Sequence, residues 1–274
     1  VWKAYFTISL PVVFSMVVTL VYNMVDTFFV AGTQNASLVA GVSQCTPLFM
    51  LMLALGDIFG LGGSSLISRL FGQKDDETAR NVSGFCFYAA IVCGLIVTVL
   101  MFAFQGPVLR VLGATSDTLK YASQYYFWIA LGAPLIILSL TPSNIIRTEG
   151  LAMQSMIASV AGSILNIVLD PIFIFTLGMG AGGAALATVL GYVLSDVLLV
   201  CYILRKSRHL TVSIRHARVA RKFVTSVFVI GIPASLTNLM QSYNIMVLNR
   251  HLISYGPKAV AAMGLSLIHI SEPT

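Results

Sequence analysis

The chain has 274 residues, of which 57% are hydrophobic and only 9% are charged, with 16 basic and 10 acidic side chains. Soluble domains carry about 25% charged residues, so this composition excludes an ordinary soluble domain. Uncharged runs near the ~20 residues of a membrane-spanning helix also exclude a disordered or nucleic-acid-binding chain. We therefore expect an all-α polytopic membrane protein. Its four cysteines lie in apolar runs without metal-binding spacing, so no cofactor is expected.

Seven uncharged runs are predicted to span the membrane as helices, because a helix satisfies its own backbone in lipid and barrel strands would be shorter. In chain order they cover residues 5–31, 38–68, 82–104, 121–146, 153–176, 184–204 and 224–247. The second run is longer than a bilayer requires, so it is expected to tilt or to project from the membrane.

The runs and the charges between them predict a division of the chain. Residues 1–204 form an N-terminal lobe of six helices, 205–223 a basic linker, and 224–264 the start of a second lobe with the seventh helix. The last residues, 265–274, resemble translated adapter sequence, and we expect this tail to be non-native.

Basic residues predict the orientation of the helices. Twelve of the 16 fall on the side of the N-terminus, many of them in the linker. The positive-inside rule then places the N-terminus in the cytoplasm and the protein in the cell (inner) membrane. The linker could also be a lipid-headgroup or nucleic-acid patch, but a connecting loop is the simpler interpretation, and no nucleic-acid partner is expected.

A weak internal repeat relates the first and seventh helices. Pro11 and Pro233 each open a helix, and a Tyr-Asn pair follows each of them, at Tyr22 and at Tyr243. The shift of about 222 residues indicates two six-helix halves of parallel topology in a longer parent protein. The chain is therefore expected to be a fragment that lacks most of the second lobe.

Four carboxylates lie within the uncharged runs: Asp26, Asp57, Asp170 and Asp196. A charged side chain near the centre of a membrane helix costs roughly 2.5 to 3.5 kcal/mol, so each is a candidate functional residue. Counting along the helices places Asp26, Asp170 and Thr188 at a similar level in the outer half of the membrane. Asp57 and Asp196 fall in the cytoplasmic half, where interhelical hydrogen bonds are the expected role.

Amide and hydroxyl side chains accompany the two outer carboxylates. Asn166 precedes Asp170 by one helical turn, and Asn23 precedes Asp26 by three residues, next to Tyr22. Asp26, Asn166, Asp170 and Thr188 would form an all-oxygen cluster that suits a small hard cation such as Na+, or a proton shared by two carboxylates. The alternative is that the two aspartates only satisfy backbone groups left free near proline residues.

Four motifs together resemble the multidrug and toxic compound extrusion (MATE) family, most closely its DinF-like prokaryotic branch. They are Pro11 with Tyr22-Asn23 and Asp26, G-x-G-G-S-S-x-x-S-R-x-x-G at 60–72, R-x-E-G at 147–150, and N-x-x-x-D-P-I-F at 166–173. The resemblance implies a secondary active transporter and no enzyme. It also implies two six-helix lobes around a cavity, with organic cations exported against inward Na+ or H+ flow.

The resemblance further implies roles for individual residues. The cation or proton site of this branch maps onto Asp26, Asn166, Asp170 and Thr188, and Pro11 maps onto the proline at which the first helix bends. The implied partners are small organic cations, membrane lipid and the missing second lobe.

Two alternative functions stay open from the sequence. A lipid-linked oligosaccharide flippase of the same superfamily would need basic side chains for a pyrophosphate, and Arg147 is the only candidate within the bundle. An intramembrane aspartyl protease is suggested by Gly56-Asp57, although the rest of the usual motif is missing.

Overall fold

The computed structural model describes residues 2–207, 209–213, 219–256 and 258–263. Seven helices in these ranges are long and apolar enough to cross a membrane, so the prediction of an all-α polytopic membrane protein is confirmed. The α-helices are α1 (Trp2–Gly32), α2 (Ala36–Gly72), α3 (Asp76–Ala103), the short α4 (Gln105–Val111), α5 (Leu119–Thr148), α6 (Ala152–Pro171), α7 (Ala181–Lys206) and α8 (Arg221–Leu252). A π-helical turn (Ile172–Thr176) continues α6, and a 3-10 turn (Ile253–Tyr255) follows α8.

Several helices extend beyond the uncharged runs because polar residues cap them. α3 begins at Asp76 rather than near residue 82, since Asp75 Oδ1 accepts a hydrogen bond from the Thr78 amide (3.1 Å) and two acids occupy its first turn. The hydrogen bonds from Thr78 lower the pKa of Asp75. α2 has 37 residues, a length of about 55 Å, which exceeds the ~30 Å hydrocarbon core.

α5 is the central helix of the bundle and packs against α2, α3 and α7. Its residues Tyr126, Ile129, Ile136 and Ile137 are fully buried, and the Tyr126 hydroxyl donates to the Met101 carbonyl of α3 (2.7 Å). α1 lies at the edge of the bundle, where it packs against α6 and exposes many apolar side chains, as a lipid-facing helix does.

Glycines allow α6 and α7 to approach closely. A Cβ on Gly162 would lie 2.6 Å from the Gly191 carbonyl oxygen, and one on Gly191 would lie 2.8 Å from the Gly162 carbonyl oxygen. Such backbone contact is typical of small residues between membrane helices. It fixes the spacing of α6 and α7 one turn away from Asn166.

α8 packs along the length of α2. Gly62 of α2 faces Val227 and Gly231 of α8 without room for a side chain. Side-chain hydrogen bonds from α8 also reach α2: Asn238 Nδ2 to Asp57 Oδ2 (2.7 Å), Ser242 Oγ to the Pro47 carbonyl (2.6 Å) and Asn249 Nδ2 to the Ser43 carbonyl (3.1 Å). α8 is thus joined to α2 by a polar seam.

We call the end of the bundle at which α2, α5 and α7 terminate the basic end, because Arg69, Arg147 and Arg205 lie in their last turns. The other end is called the opposite end. Residues 208 and 214–218 of the linker and the tail at 265–274 lie outside the described residues. The division into lobes, linker and tail therefore stays a prediction.

Candidate cation site

Asp26 of α1 and Asp170 of α6 meet toward the opposite end of the bundle. Asp170 is fully buried, and its carboxyl group lies close to the Asp26 carboxyl group. No described residue donates a hydrogen bond to Asp26 Oδ1 or to either carboxyl oxygen of Asp170. Two ionised carboxylates in this position would repel each other strongly in a low-dielectric interior. The pair therefore requires a proton or a cation between its oxygens.

The end of α6 has an irregular backbone beside Asp170. Pro171 has no N–H, so it cannot donate to the carbonyl four residues earlier, and the chain continues as the π-helical turn Ile172–Thr176. In the turn that follows, the Met179 amide donates a hydrogen bond to the Phe173 carbonyl (3.0 Å). π-helical turns are frequent at functional sites, because they widen the helix and redirect its side chains.

Asn166 and Thr188 extend the site onto α7. Asn166 Nδ2 donates to Thr188 Oγ1 (3.3 Å), and Thr188 Oγ1 donates its one proton to the Ala184 carbonyl (3.0 Å). Both side chains are buried, and Asn166 Oδ1 has no donor among the described residues. Asp170 lies one turn further along the same face of α6. Buried acceptor oxygens without donors thus collect on α1 and α6, beside the Thr188 hydroxyl.

Tyrosine hydroxyls border the cluster. Tyr22, a secondary candidate from the sequence, lies close to Asp26 and Thr188. Tyr125 of α5 lies within electrostatic range of both Asp26 and Asp170. Tyr125 could not be found from the sequence, because no spacing pattern connects a tyrosine on α5 with acids on α1 and α6.

The remaining candidates lie elsewhere in the structure. Asn23 is exposed on α1, and Pro11 is buried within α1, which continues through it as a helix. The expected interhelical hydrogen bond is present for Asp57, which accepts from Asn238. It is absent for Asp196 in the part of the chain that the structure describes, where neither carboxyl oxygen has a donor.

Arg147, the candidate for a pyrophosphate site, instead forms hydrogen bonds between two helices. Its Nε donates to Ser155 Oγ (3.0 Å) and its terminal nitrogen donates to Ser143 Oγ (3.3 Å). Ser143 and Ser155 are themselves hydrogen-bonded between α5 and α6 (2.9 Å). The guanidinium group therefore joins two helices at the basic end, far along the bundle from the carboxyl pair.

The fold agrees with comparisons to known proteins. The MatE family model matches residues 11–172, more than half of the chain. This chain therefore belongs to the MatE family. The resemblance inferred from the four motifs is confirmed by this match.

Relatives give the family its functional class. Multidrug export protein MepA of Staphylococcus aureus (strain NCTC 8325 / PS 47) is 33% identical over 273 residues, which is 100% of this chain and 60% of that protein. A solved inward-facing conformation of a multidrug resistance MATE family transporter of the MOP superfamily is 33% identical, with a TM-score of 0.86 over 96% of this chain and 60% of that chain. The MATE multidrug transporter DinF-BH, solved in complex with a small-molecule ligand, is 33% identical, with a TM-score of 0.90 over 97% of this chain and 60% of that chain.

These proteins are described as transporters, so the prediction that the chain belongs to a transporter family rather than to an enzyme family is confirmed. Nothing in the comparisons supports the protease alternative. The chain spans about 60% of the length of the relatives it matches.

Proposed function

We propose that the protein containing this chain exports organic cations by antiport, driven by inward movement of Na+ or H+ at the pair Asp26–Asp170. The observation that carries this proposal is the proximity of two carboxyl groups whose buried oxygens have no hydrogen-bond donor among the described residues. A structural role would provide donors, as Asn238 does for Asp57. Carboxyl groups without donors bind and release a small cation or a proton.

Coupling requires that ion binding change the distance between α1 and α6. The two carboxyl groups lie on different helices, so a cation or proton draws α1 toward α6, and its loss separates them by repulsion. Such a difference in ion affinity between two arrangements shifts their populations, typically by 1 to 3 kcal/mol. Pro11 lies on α1 some ten residues from Tyr22, where a missing hydrogen bond favours bending. In this mechanism α1 is the moving element.

The charges within the lobe support a cationic substrate. The acids Asp26 and Asp170 lie within its helices with buried carboxyl oxygens, whereas the guanidinium group of Arg147 is held by serines at the basic end. A cavity beside such acids attracts cations and repels anions. The relatives are described as multidrug transporters, and DinF-BH was solved with a small molecule bound. We extend this substrate class to the present protein.

Alternating access and membrane orientation complete the proposal. The basic end faces the cytoplasm by the positive-inside rule, and the protein lies in the cell membrane. The carboxyl pair then lies in the outer half of the membrane, where it takes up ions from outside. The substrate occupies the space between this lobe and a second lobe that begins with α8, and the lobes open to either side in turn.

The experiment uses Asp170→Asn in proteoliposomes that contain a cationic dye. We expect wild-type protein to move the dye when either a Na+ or a pH gradient is imposed, and the effective gradient identifies the ion. Asp170→Asn keeps the shape of the side chain and removes its charge, so we expect ion-driven transport to be lost while membrane insertion is retained. Asp117→Asn, the same change at an exposed position, is the matched control and should transport like wild type.

Unchanged dye transport by Asp170→Asn would contradict the assignment of the pair as the coupling site. Equal loss of transport in Asp117→Asn would show that the assay reports protein quality rather than ion coupling.

A further inference from the structure

Asp196 of α7 is a buried acid that the proposed mechanism does not use. Its side chain is 4% exposed, and both of its carboxyl oxygens lack a hydrogen-bond donor among the described residues. It lies eight residues beyond Thr188, or about 12 Å along α7, toward the basic end. It is therefore separate from the carboxyl pair.

A buried carboxylate that receives no hydrogen bond needs another partner, such as a basic side chain, a cation or a proton. His209 Nδ1 lies 3.2 Å from Asp76 Oδ2, outside the bundle interior, and no described residue donates a hydrogen bond to either carboxyl oxygen of Asp196. No group of three or more His, Cys, Asp or Glu side chains that could hold a metal ion occurs in the described ranges. A proton needs no further ligands, and a protonated carboxyl group carries no charge into the interior, so a proton is the simplest partner for Asp196.

The groups around Asp196 do not offer it a countercharge. Tyr192, one turn earlier on α7, is the titratable neighbour with which it interacts. The elements packed against α7 carry other titratable groups, chiefly Asp170 on α6, Tyr125 and Arg147 on α5, Asp57 on α2 and Asp26 on α1. Arg147 donates to serines and Asp57 accepts from Asn238, so neither neutralises Asp196.

Tyr192 also connects Asp196 to the carboxyl pair. Thr188, Tyr192 and Asp196 recur every four residues and so lie on one face of α7. Tyr192 is within electrostatic range of Tyr22 and Tyr125, and both of these interact with Asp26. A tyrosine hydroxyl both donates and accepts, so it can receive one proton while it passes on another. Groups with exchangeable protons therefore lie along α7 between Asp196 and the carboxyl pair.

We propose that Asp196 is a second proton-binding carboxyl group, protonated in this arrangement of the helices and linked to the pair Asp26–Asp170 through the hydroxyl of Tyr192. The ligand of this site is a proton, whichever ion the pair itself binds. The inference goes beyond the proposed function, because a proton can reside on Asp196 even in a protein whose pair binds Na+.

Infrared difference spectroscopy tests the proton on Asp196 directly. The protein that contains this chain is reconstituted in lipid vesicles, and the C=O stretching band of protonated carboxyl groups is recorded at neutral pH. We expect Asp196→Asn to remove one component of this band and Asp196→Glu to shift it. Asp57→Asn is the matched control and should leave that component in place, because Asp57 has a donor in Asn238. If Asp196→Asn leaves the band unchanged, Asp196 is ionised and the proposal is wrong.

Tyr192→Phe tests the link between the two sites. The ring packs against Phe49 at 6.1 Å between centroids, and phenylalanine keeps that contact while it removes the hydroxyl. We expect the Asp196 band to remain and its shift after transfer to heavy water to slow several-fold. An unchanged rate would exclude Tyr192 as the link. Neither readout uses transport, so failure of this proposal is distinct from failure of the Asp170→Asn test.

Discussion

The contact between Gly162 and Gly191 sets the distance across which Asn166 donates to Thr188. A methyl group on Gly191 would lie 2.8 Å from the Gly162 carbonyl oxygen and 3.4 Å from Asn166 Cβ. Ordinary contact begins at 3.4 Å, so Gly191→Ala forces α6 and α7 apart by about 0.6 Å. The bond from Asn166 to Thr188, now 3.3 Å, would lengthen to about 3.9 Å, beyond hydrogen-bonding range.

Two effects of different size follow from this displacement. Overpacking lowers the free energy of unfolding by about 1 to 3 kcal/mol. Loss of the hydrogen bond weakens cation or proton binding by about 1 kcal/mol, or roughly five-fold in ion concentration. Gly162→Ala should act in the same direction and more strongly, because its methyl group would lie 2.6 Å from the Gly191 carbonyl oxygen.

Thermal unfolding in detergent, measured over a range of Na+ concentration and of pH, separates the two effects. Overpacking lowers the melting temperature at every ion concentration, whereas weaker binding moves the concentration of half-maximal stabilisation. Gly72→Ala is the matched control, because a methyl group there has nothing within 4 Å. If Gly191→Ala folds and binds ions at the wild-type midpoint, the site does not depend on the spacing of α6 and α7, and the reasoning is refuted.

The seam between α2 and α8 and the cap of α3 give two further predictions. Asn238→Leu removes the hydrogen-bond donor of Asp57, so we expect it to lower the free energy of unfolding by about 1 to 3 kcal/mol. Denaturation in detergent measures this change. The control Met240→Leu, at an exposed site on α8, should change the free energy of unfolding little. Asp75→Ala should lower the melting temperature at neutral pH, and the difference from wild type should vanish in acid. The sign follows because hydrogen bonds from Thr78 lower the pKa of Asp75 in the folded state, so its contribution is present above the unfolded pKa and is lost as pH falls through the folded one. A difference that persists in acid would contradict this explanation.

The membrane helices could be predicted from the sequence because their signal is local. An uncharged run of sufficient length must become a helix in lipid, whatever its neighbours are. α4 was not predicted, because seven residues carry no such signal. The early start of α3 at Asp76 was also missed, since the charged first turn lies outside the apolar run and depends on the cap from Asp75.

Part of the candidate site could also be predicted from the sequence. Counting residues from the helix ends gave Asp26, Asp170 and Thr188 a common level, since the rise per residue is constant along a helix. The same count could not say which faces meet. The bond from Asn238 to Asp57 joins residues 181 positions apart, and it depends on α8 lying along α2, which no local pattern encodes. Tyr125 was missed for the same reason.

The polar groups of this bundle fall into two sets: those that receive a hydrogen-bond donor from a neighbouring helix and those that do not. Along the seam between α2 and α8, Asp57 and the neighbouring carbonyl acceptors each receive a donor from α8, as stable packing of membrane helices requires. Where α1, α6 and α7 meet, Asp26, Asn166 and Asp170 instead bury acceptor oxygens that have no donor among the described residues. Such buried oxygens raise the free energy of the fold unless a cation or proton compensates them. Because a cation or proton can dissociate, this free-energy cost depends on the conformation of the helices. The same fold thus contains a seam that holds α8 in place and a cluster whose stability, under the proposed function, changes with the ion or proton that it binds.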